Sequence, residues 1–341
     1  MSPPSTQALA EGALGRALLH IERGNLSVAR PLLAEAVAGG VSTGSNASLF
    51  HGAPPLEFVL GRAGRADQTV QAAVDRVVVA RLAAARRRRE SARLPTLAEF
   101  DLIRGLTGLG ALLLARAGSP PRLLHEVLAY LVTLACPAEA DARVLPGWWS
   151  PDSPGHQEIP GGHANNGVAH GICGPLALLS LAARRGILAE GQLEAIDAFA
   201  TWLEEFGGFY WITLGHLLAD EPQQAPPLRP SWCYGGLGIA RTLQLAALAL
   251  GDDARRQKAE ELGIAALTDP ARLGRVTDVS LCHGWAGLLT VVTAIAADSS
   301  TPGRFAEPIW QTRQRLVTGI ASLRKPGFLE GRAGAVLALE G

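Results

Sequence analysis

The sequence is short of several residue types, and each shortage excludes a class of protein. Among 341 residues there are one Met, two Lys, four Cys and only 5 % aromatic side chains. The cysteines are far apart and form no CxxC pair, so neither a disulfide framework nor a zinc finger is indicated. Net charge is also absent, because 31 basic residues balance 31 acidic ones. A global electrostatic attraction to nucleic acid or to anionic membranes is therefore excluded.

Signals for β-strands, secretion and membrane insertion are also scarce. Charged residues interrupt the apolar N-terminal stretch, which excludes a secretory signal. The longest uncharged stretch near the end, Val279–Ala297, contains Cys282, His283 and Trp285 and indicates a buried loop and helix rather than a membrane span. We therefore expect a cytoplasmic protein with no integral membrane segment, with peripheral association in a biosynthetic complex as a further option.

The sequence has an excess of glycine, although most of its other residues favour helices. Its 39 Gly exceed the average share of roughly 7 %. Yet 48 % of the residues are apolar, with Ala and Leu dominant, which excludes disorder and favours helices. The absence of a Gly-X-Y period excludes collagen.

The glycines form a repeat. The pattern Gly-x-x-Gly, followed by about ten apolar or small residues, recurs at steps of 40 to 66 residues. Its instances begin at Gly12, Gly105, Gly171, Gly235, Gly284 and Gly331, with a variant at Gly52 that has Pro in place of the second Gly. Charged segments with helical periodicity lie between them, such as Asp67–Arg93, Arg122–Cys136, Glu190–Phe206, Asp252–Leu267 and Arg304–Leu323.

The alternation predicts an all-α fold of two layers, with apolar helices inside and amphipathic helices outside. The irregular steps argue against a regular solenoid. We expect a single domain over residues 1–341, closed into an α/α toroid of about seven inner and seven outer helices. Paired glycines at the inner helix N-termini would leave free N–H groups at the ring mouth.

We call each Gly-x-x-Gly instance, together with the residues just before it, a repeat head. Four of these repeat heads carry chemically active side chains. If equivalent heads lie at one end of the ring, the clusters converge there although they are far apart in sequence. They contribute Asp101; His170; Arg229, Cys233 and Tyr234; and Cys282 with His283.

The two cysteines and the histidine are candidate ligands of a catalytic zinc. Spacing alone favours buried apolar cysteines, but the equivalent positions of Cys233 and Cys282 at two heads favour zinc. Two thiolates and a neutral imidazole cancel the charge of Zn²⁺, which makes the site a poor activator of water. We therefore expect a site that activates a thiol.

The combined motifs resemble the lanthionine synthetase C-like family, the lanthipeptide cyclases. The residues that carry the resemblance are GLTG, NNGVAHGICGPLALL, RPSWCYGGLG and LCHGWAG, and it extends from about Gly12 to Gly341. PGWW at 146–149 and GGHANNG at 161–167 are similar to the segments that usually precede the A-H-G motif in this family.

The resemblance implies an α/α toroid holding one Zn²⁺ per chain on Cys233, Cys282 and His283. It also implies addition of a peptide cysteine thiol to dehydroalanine or dehydrobutyrine of a dehydrated precursor peptide, giving thioether rings. His170 matches the family's A-H-G histidine and Asp101 the acid before G-L-S/T-G. Arg229 and Tyr234 match the residues that flank the cysteine of W-C-Y-G.

The side chains suit these assignments. Zinc lowers a thiol pKa from roughly 8.5. A histidine poised by a carboxylate such as Asp101 can protonate the α-carbon of the enolate. Arg229 would hold Asp101 or stabilise the enolate oxygen, and Tyr234 would pack or donate one hydrogen bond.

Other prominent residues have plainer interpretations. Cys173 is predicted to be a small packing residue and Cys136 inert core. The arginines at 86–89 indicate a solvated helix face, with docking of an acidic leader peptide or a partner enzyme as the alternative.

The expected partners are the precursor peptide, a separate dehydratase and, as a further candidate, a peptide exporter. Three alternatives stay open. One is a relative that adds a small thiol such as glutathione to dehydroamino acids, and another is a non-catalytic scaffold that binds the precursor peptide. The third, a toroidal carbohydrate enzyme, would need paired carboxylates at the mouth, and Asp101 is the one acid named among the chemically active side chains at the heads.

Overall fold

The computed structural model describes residues 6–118, 121–140, 142–152, 159–219 and 228–341. Helices dominate these residues, and four strands of three residues each accompany them. In chain order the elements are α1 (Ala13–Glu22), α2 (Leu26–Val37), α3 (Ala53–Arg62), α4 (Gln68–Glu90), α5 (Leu97–Phe100), α6 (Leu106–Ala115), α7 (Arg122–Val132), β1 (Ala138–Ala140), β2 (Arg143–Leu145), β3 (His163–Asn165), α8 (Cys173–Ala183), α9 (Gln192–Phe206), β4 (Trp211–Thr213), α10 (Leu214–Leu217), α11 (Gly236–Leu250), α12 (Asp253–Thr268), α13 (Pro270–Leu273), α14 (Trp285–Asp298), α15 (Ala306–Gly319) and α16 (Arg332–Glu340).

The glycine pairs stand where the apolar helices begin, as predicted. The first Gly is the residue immediately before α1, α3, α6, α11, α14 and α16. The seventh helix of this kind, α8, begins at Cys173, inside its own Gly-x-x-Gly pair. The predicted amphipathic segments form α4, α7, α9, α12 and α15, so the alternation of apolar and amphipathic helices is confirmed.

Close backbone approach explains why the start of α6 needs glycine. A Cβ on Gly105 would lie 2.4 Å from the backbone nitrogen of Asp101 and 2.6 Å from the carbonyl carbon of Phe100. Both neighbours are main-chain atoms, which cannot rotate away. The head of α6 therefore folds tightly against the loop that carries Asp101.

Gly105→Ala is expected to destabilise the chain by about 1–3 kcal/mol, because the backbone has to shift to admit one methyl group. Urea unfolding followed by circular dichroism measures the effect. Gly61→Ala is the matched control, because a Cβ at this position within α3 meets nothing within 4 Å. Equal stability of the two variants would contradict the close-packing explanation.

The chain divides into two compact units. The first comprises Met1–Val78 and Val276–Gly341. In it, α1 packs against α2, α3 and α16, and α14 packs against α15 and α16. Its apolar core includes Leu14 and Val59, both fully buried.

The second unit is Val79–Arg275. There α11 packs against α8, α9 and α12, while α6 packs against α7 and α8. Strands β1 and β2 pair antiparallel, and so do β3 and β4, with Asn165 opposite Trp211. These strands could not be predicted from the sequence, because three residues are too few to show an alternating pattern. All three residues of β3 are buried, and Asn165 among them donates a hydrogen bond to Tyr234.

Two predictions about cysteines have different outcomes. Cys173 is buried at the start of α8, and burial raises the pKa of its thiol to about 12, as expected for a packing residue. The prediction that Cys136 is inert core is wrong. It follows a short 3-10 turn after α7 and is exposed. The helical periodicity of the preceding segment ends before it.

No helix within the described ranges is both long enough and apolar enough to cross a membrane. The arginines at 86–89 lie near the end of α4, where Arg86, Arg87 and Arg89 are exposed. Arg88 instead pairs with Glu99, with 2.6 Å between Nη2 and Oε1. Most of this cluster is therefore a solvated helix face.

Candidate active site

Asp101 is the buried charge at the centre of the candidate site in the second unit. It directly follows α5, and its side chain is completely excluded from solvent. One carboxylate oxygen, Oδ1, accepts hydrogen bonds from the backbone nitrogens of Arg104 and Gly105, at 2.5 and 2.9 Å. These are N–H groups at the start of α6, where a negative charge is favoured. The local chain thus holds the carboxylate in one orientation.

The other carboxylate oxygen binds His170. The distance from His170 Nδ1 to Asp101 Oδ2 is 2.6 Å, and Arg104 Nε lies 3.5 Å from the same oxygen. The histidine side chain is about one-fifth exposed, at 21 %. Because Nδ1 is occupied by the carboxylate, Nε2 is the ring atom available for exchanging a proton with a substrate.

Backbone hydrogen bonds join the three loops that carry these side chains. The Leu102 nitrogen donates to the carbonyl of Ala169, 3.2 Å away. The nitrogens of Val168 and Ala169 both donate to the carbonyl of Cys233, at 2.9 and 3.2 Å. Residues 101–105, 166–172 and 229–235 consequently form one connected surface, although the sequence separates them widely.

Tyr234 lies against His170 on this surface. Their ring centroids are 6.1 Å apart with a tilt of 34°. The Tyr234 hydroxyl accepts a hydrogen bond from Asn165 Nδ2, at 3.1 Å, and Asn165 Oδ1 in turn accepts from the Gly167 nitrogen. Burial raises the pKa of Tyr234, so its hydroxyl stays protonated and keeps its ability to donate.

Arg229 makes fewer contacts than the sequence suggested. Its backbone nitrogen donates to the Tyr210 hydroxyl at 3.2 Å. Its side-chain Nε is buried and has no hydrogen-bond partner among the described residues. The ionic partners that the structure gives Asp101 are His170 and Arg104. Of the two roles considered for Arg229, holding Asp101 therefore belongs to Arg104.

Cys233 is the predicted metal ligand that belongs to the second unit. Its thiol is buried, with 6 % of the residue exposed, and Sγ lies 3.7 Å from the Ser231 hydroxyl. Ser231 Oγ itself donates to the carbonyl of Tyr234, which fixes the turn. The side chain is thus positioned by its own loop.

Cys282 and His283 belong to the first unit and directly precede Gly284 and α14. The Cys282 backbone nitrogen donates to the carbonyl of Leu329, at 2.8 Å. His283 Nε2 lies 2.9 Å from Asp278 Oδ2. Burial alone would raise the pKa of Asp278, but hydrogen bonds from His283 and Ser280 outweigh it and hold that pKa well below its usual range.

Within the described residues, no group of three or more His, Cys, Asp or Glu side chains is gathered as a metal site. The zinc site therefore stays a prediction. The local chemistry nevertheless fits a metal, because a carboxylate bonded to one ring nitrogen is the usual partner of a metal-binding histidine. The pair of His283 and Asp278 has this arrangement.

Three residues that contact the predicted site were not identified from the sequence. Arg104 pairs with Asp101, Asn165 holds Tyr234, and Asp278 holds His283. Asn165 lies within the GGHANNG motif, and Arg104 directly precedes the GLTG motif. Asp278 precedes His283 by five residues, and no motif marks it.

Comparison with known proteins supports the family resemblance seen in the sequence. The family described as "Lanthionine synthetase C-like protein" matches residues 4–340. The nisin biosynthesis protein NisC of Lactococcus lactis subsp. lactis is 29 % identical over 193 residues, which are 53 % of this chain and 45 % of that relative. This match thus spans less than half the length of the relative.

The solved structure of nisin cyclase matches with a TM-score of 0.79 at 21 % identity, covering 99 % of this chain and 89 % of the other. At this identity the match shows the fold, and it confirms the predicted all-α toroid class. The family match extends over nearly all of the sequence. The chain belongs to the lanthionine synthetase C-like family.

Proposed function

We propose that the protein is a zinc-dependent lanthipeptide cyclase. It would join a cysteine thiol of a dehydrated precursor peptide to a dehydroalanine or dehydrobutyrine of the same peptide. The observation that carries the proposal is the 2.6 Å pair of His170 and buried Asp101. Both lie on the loop surface that also includes Cys233 and Tyr234.

The reaction needs one proton to move from sulfur to carbon. The thiolate attacks the β-carbon, a C–S bond forms, and the electrons of the C=C bond move onto the carbonyl oxygen as an enolate. The enolate α-carbon must then gain a proton. His170 is the group suited to deliver it, because its Nδ1 is bonded to Asp101 and its Nε2 is left for the substrate.

Arg229 and Tyr234 are the groups suited to the oxygen that becomes negative. The buried Nε–H of Arg229 has no partner in the described chain, so a substrate oxygen would satisfy it. Donors that are fixed before the reaction stabilise charge as it develops without reorganising. Asn165 fixes the Tyr234 hydroxyl in the same way.

The residues that would hold zinc are Cys233, Cys282 and His283. When bound, the metal supplies a lowered pKa for the substrate thiol and thereby a nucleophile near neutral pH. The four cysteines of the chain are free, which is consistent with a reducing compartment. We accordingly place the reaction in the cytoplasm, beside a separate dehydratase that makes the substrate.

The decisive experiment is incubation of the zinc-loaded chain with a dehydrated precursor peptide, followed by counting of the thiols that can still be alkylated. Loss of thiols at constant peptide mass supports the cyclase. In a parallel incubation with added glutathione, a glutathione adduct on the peptide, with the peptide's own thiols intact, would favour addition of a small thiol. Binding without any change in thiols beyond the uncatalysed background would favour a scaffold.

Arg229→Ala is expected to slow cyclisation by about 10²–10³-fold, the usual cost of removing one donor to a developing oxyanion. The comparison is the rate of thiol loss under saturating peptide. Arg304→Ala removes an exposed arginine and is expected to react at the wild-type rate. If the two variants cyclise equally fast, Arg229 has no part in stabilising the enolate.

A further inference from the structure

Local backbone contacts fix the orientation of Asp278. Its Oδ1 accepts a hydrogen bond from the Ser280 nitrogen at 2.7 Å, and its carbonyl accepts from the Trp285 nitrogen at 3.2 Å. A Cβ on Gly284 would lie 2.3 Å from Asp278 Oδ1, so the glycine lets α14 begin directly beside the carboxylate. With Oδ1 fixed in this way, Oδ2 is directed at the ring of His283.

The chemistry of this contact selects one form of the imidazole. A carboxylate is acceptor-only, so the nitrogen that faces it must carry the hydrogen. The 2.9 Å contact between Asp278 Oδ2 and His283 Nε2 therefore favours the tautomer with hydrogen on Nε2. In that tautomer the lone pair is on Nδ1.

We propose that Asp278 is a positioning residue that makes His283 a zinc ligand through Nδ1. The inference rests on the proposed zinc site. Asp278 would act by orienting the ring and strengthening its lone pair, as carboxylate partners of metal-bound histidines generally do.

A purely structural ion pair explains the contact less well. Both side chains are about 30 % exposed, at 29 % for His283 and 31 % for Asp278. Exposed ion pairs contribute little to stability. A carboxylate held by the Ser280 nitrogen has a clearer use in orienting the imidazole than in stabilising the fold.

Asp278→Asn tests the proposal with little change in shape. The amide oxygen can still accept from the Ser280 nitrogen, which leaves the NH₂ group facing His283. That donor forces Nε2 to accept and moves the ring hydrogen to Nδ1. We expect zinc affinity of the full chain to fall about 10- to 100-fold, measured by competition with a chromogenic chelator.

A second measurement needs no metal. Ring ¹⁵N shifts of the zinc-free chain, assigned by difference from His283→Gln, should show hydrogen on Nε2 in the wild type and on Nδ1 in Asp278→Asn. Asp269→Asn is the matched control, because Asp269 caps a turn in the same way, with Oδ1 accepting from the Ala271 nitrogen. This control should keep wild-type zinc affinity.

The outcomes separate the two proposals. A changed tautomer with weaker zinc binding in Asp278→Asn, and not in Asp269→Asn, supports the positioning role. Zinc bound equally tightly by the wild type and Asp278→Asn, or an unchanged tautomer, overturns it while the zinc site stands. A wild-type chain that binds no zinc overturns the zinc site and the positioning role together.

Discussion

Cys282→Ala is expected to leave the purified chain with far less than one zinc per molecule and without cyclase activity. The thiolate supplies one of three protein ligands, and its negative charge offsets that of the metal. Losing a ligand should cost more than the roughly 10- to 100-fold in affinity that losing a partner of a ligand costs. Elemental analysis after dialysis against a chelator measures the zinc content.

Cys136→Ala is the control that matches this change in chemistry. Cys136 is also a free cysteine, and it is exposed after the 3-10 turn that follows α7. Its replacement should leave one zinc per chain and full activity. If Cys282→Ala retained stoichiometric zinc after the same dialysis, the assignment of Cys282 as a ligand would be wrong, whatever the activity of the variant.

Helix starts were predictable because glycine pairs mark them directly. A Cβ at Gly105 or Gly235 would lie within 2.5 Å of a main-chain atom, so the requirement is local and visible in the sequence. Amphipathic helices were predictable because their periodicity extends over many residues. Helix α2 lay outside the predicted segments, and it has Pro31 in its interior.

The parts of the site that were not predictable depend on tertiary contacts. Asn165 reaches Tyr234 from a strand of three residues, and the sequence separation is 69. Pairing with Asp101 is one of the two roles that the sequence predicts for Arg229, and in the structure Arg104 takes this role. Arg104 is a neighbour in sequence, three residues away, and the turn at the start of α6 brings it back to the carboxylate. Residue types alone do not distinguish these two arginines.

The meeting of Asp101 and His170 has a different basis. These residues are also 69 positions apart, yet both lie in loops that lead into glycine-headed apolar helices, Asp101 four residues before Gly105 and His170 one residue before Gly171. The repeat therefore relates their positions, and the contact follows from the packing of α6 against α8. A periodic architecture makes contacts between the loops at successive glycine pairs predictable, whereas the particular side chains that meet within those loops need the structure.

His170→Ala is expected to slow cyclisation by about 10²–10⁴-fold while the chain keeps its zinc, because positioned proton transfer contributes a factor of this size. The rate of thiol loss gives the first quantity, and elemental analysis gives the second. His125→Ala removes an exposed histidine from α7 and should change neither. Normal cyclisation by His170→Ala would contradict a proton-transfer role.

His170→Asn separates proton transfer from stability. Truncation to Ala leaves the buried carboxylate of Asp101 with one hydrogen bond fewer, which costs about 1–3 kcal/mol. An Asn side chain restores an N–H donor near the position of Nδ1 but cannot protonate carbon. We expect it to recover the midpoint of thermal unfolding and to stay as slow as His170→Ala. Recovery of the rate together with stability would mean that His170 serves to hold Asp101 in place, and that the proton reaches the enolate from another group.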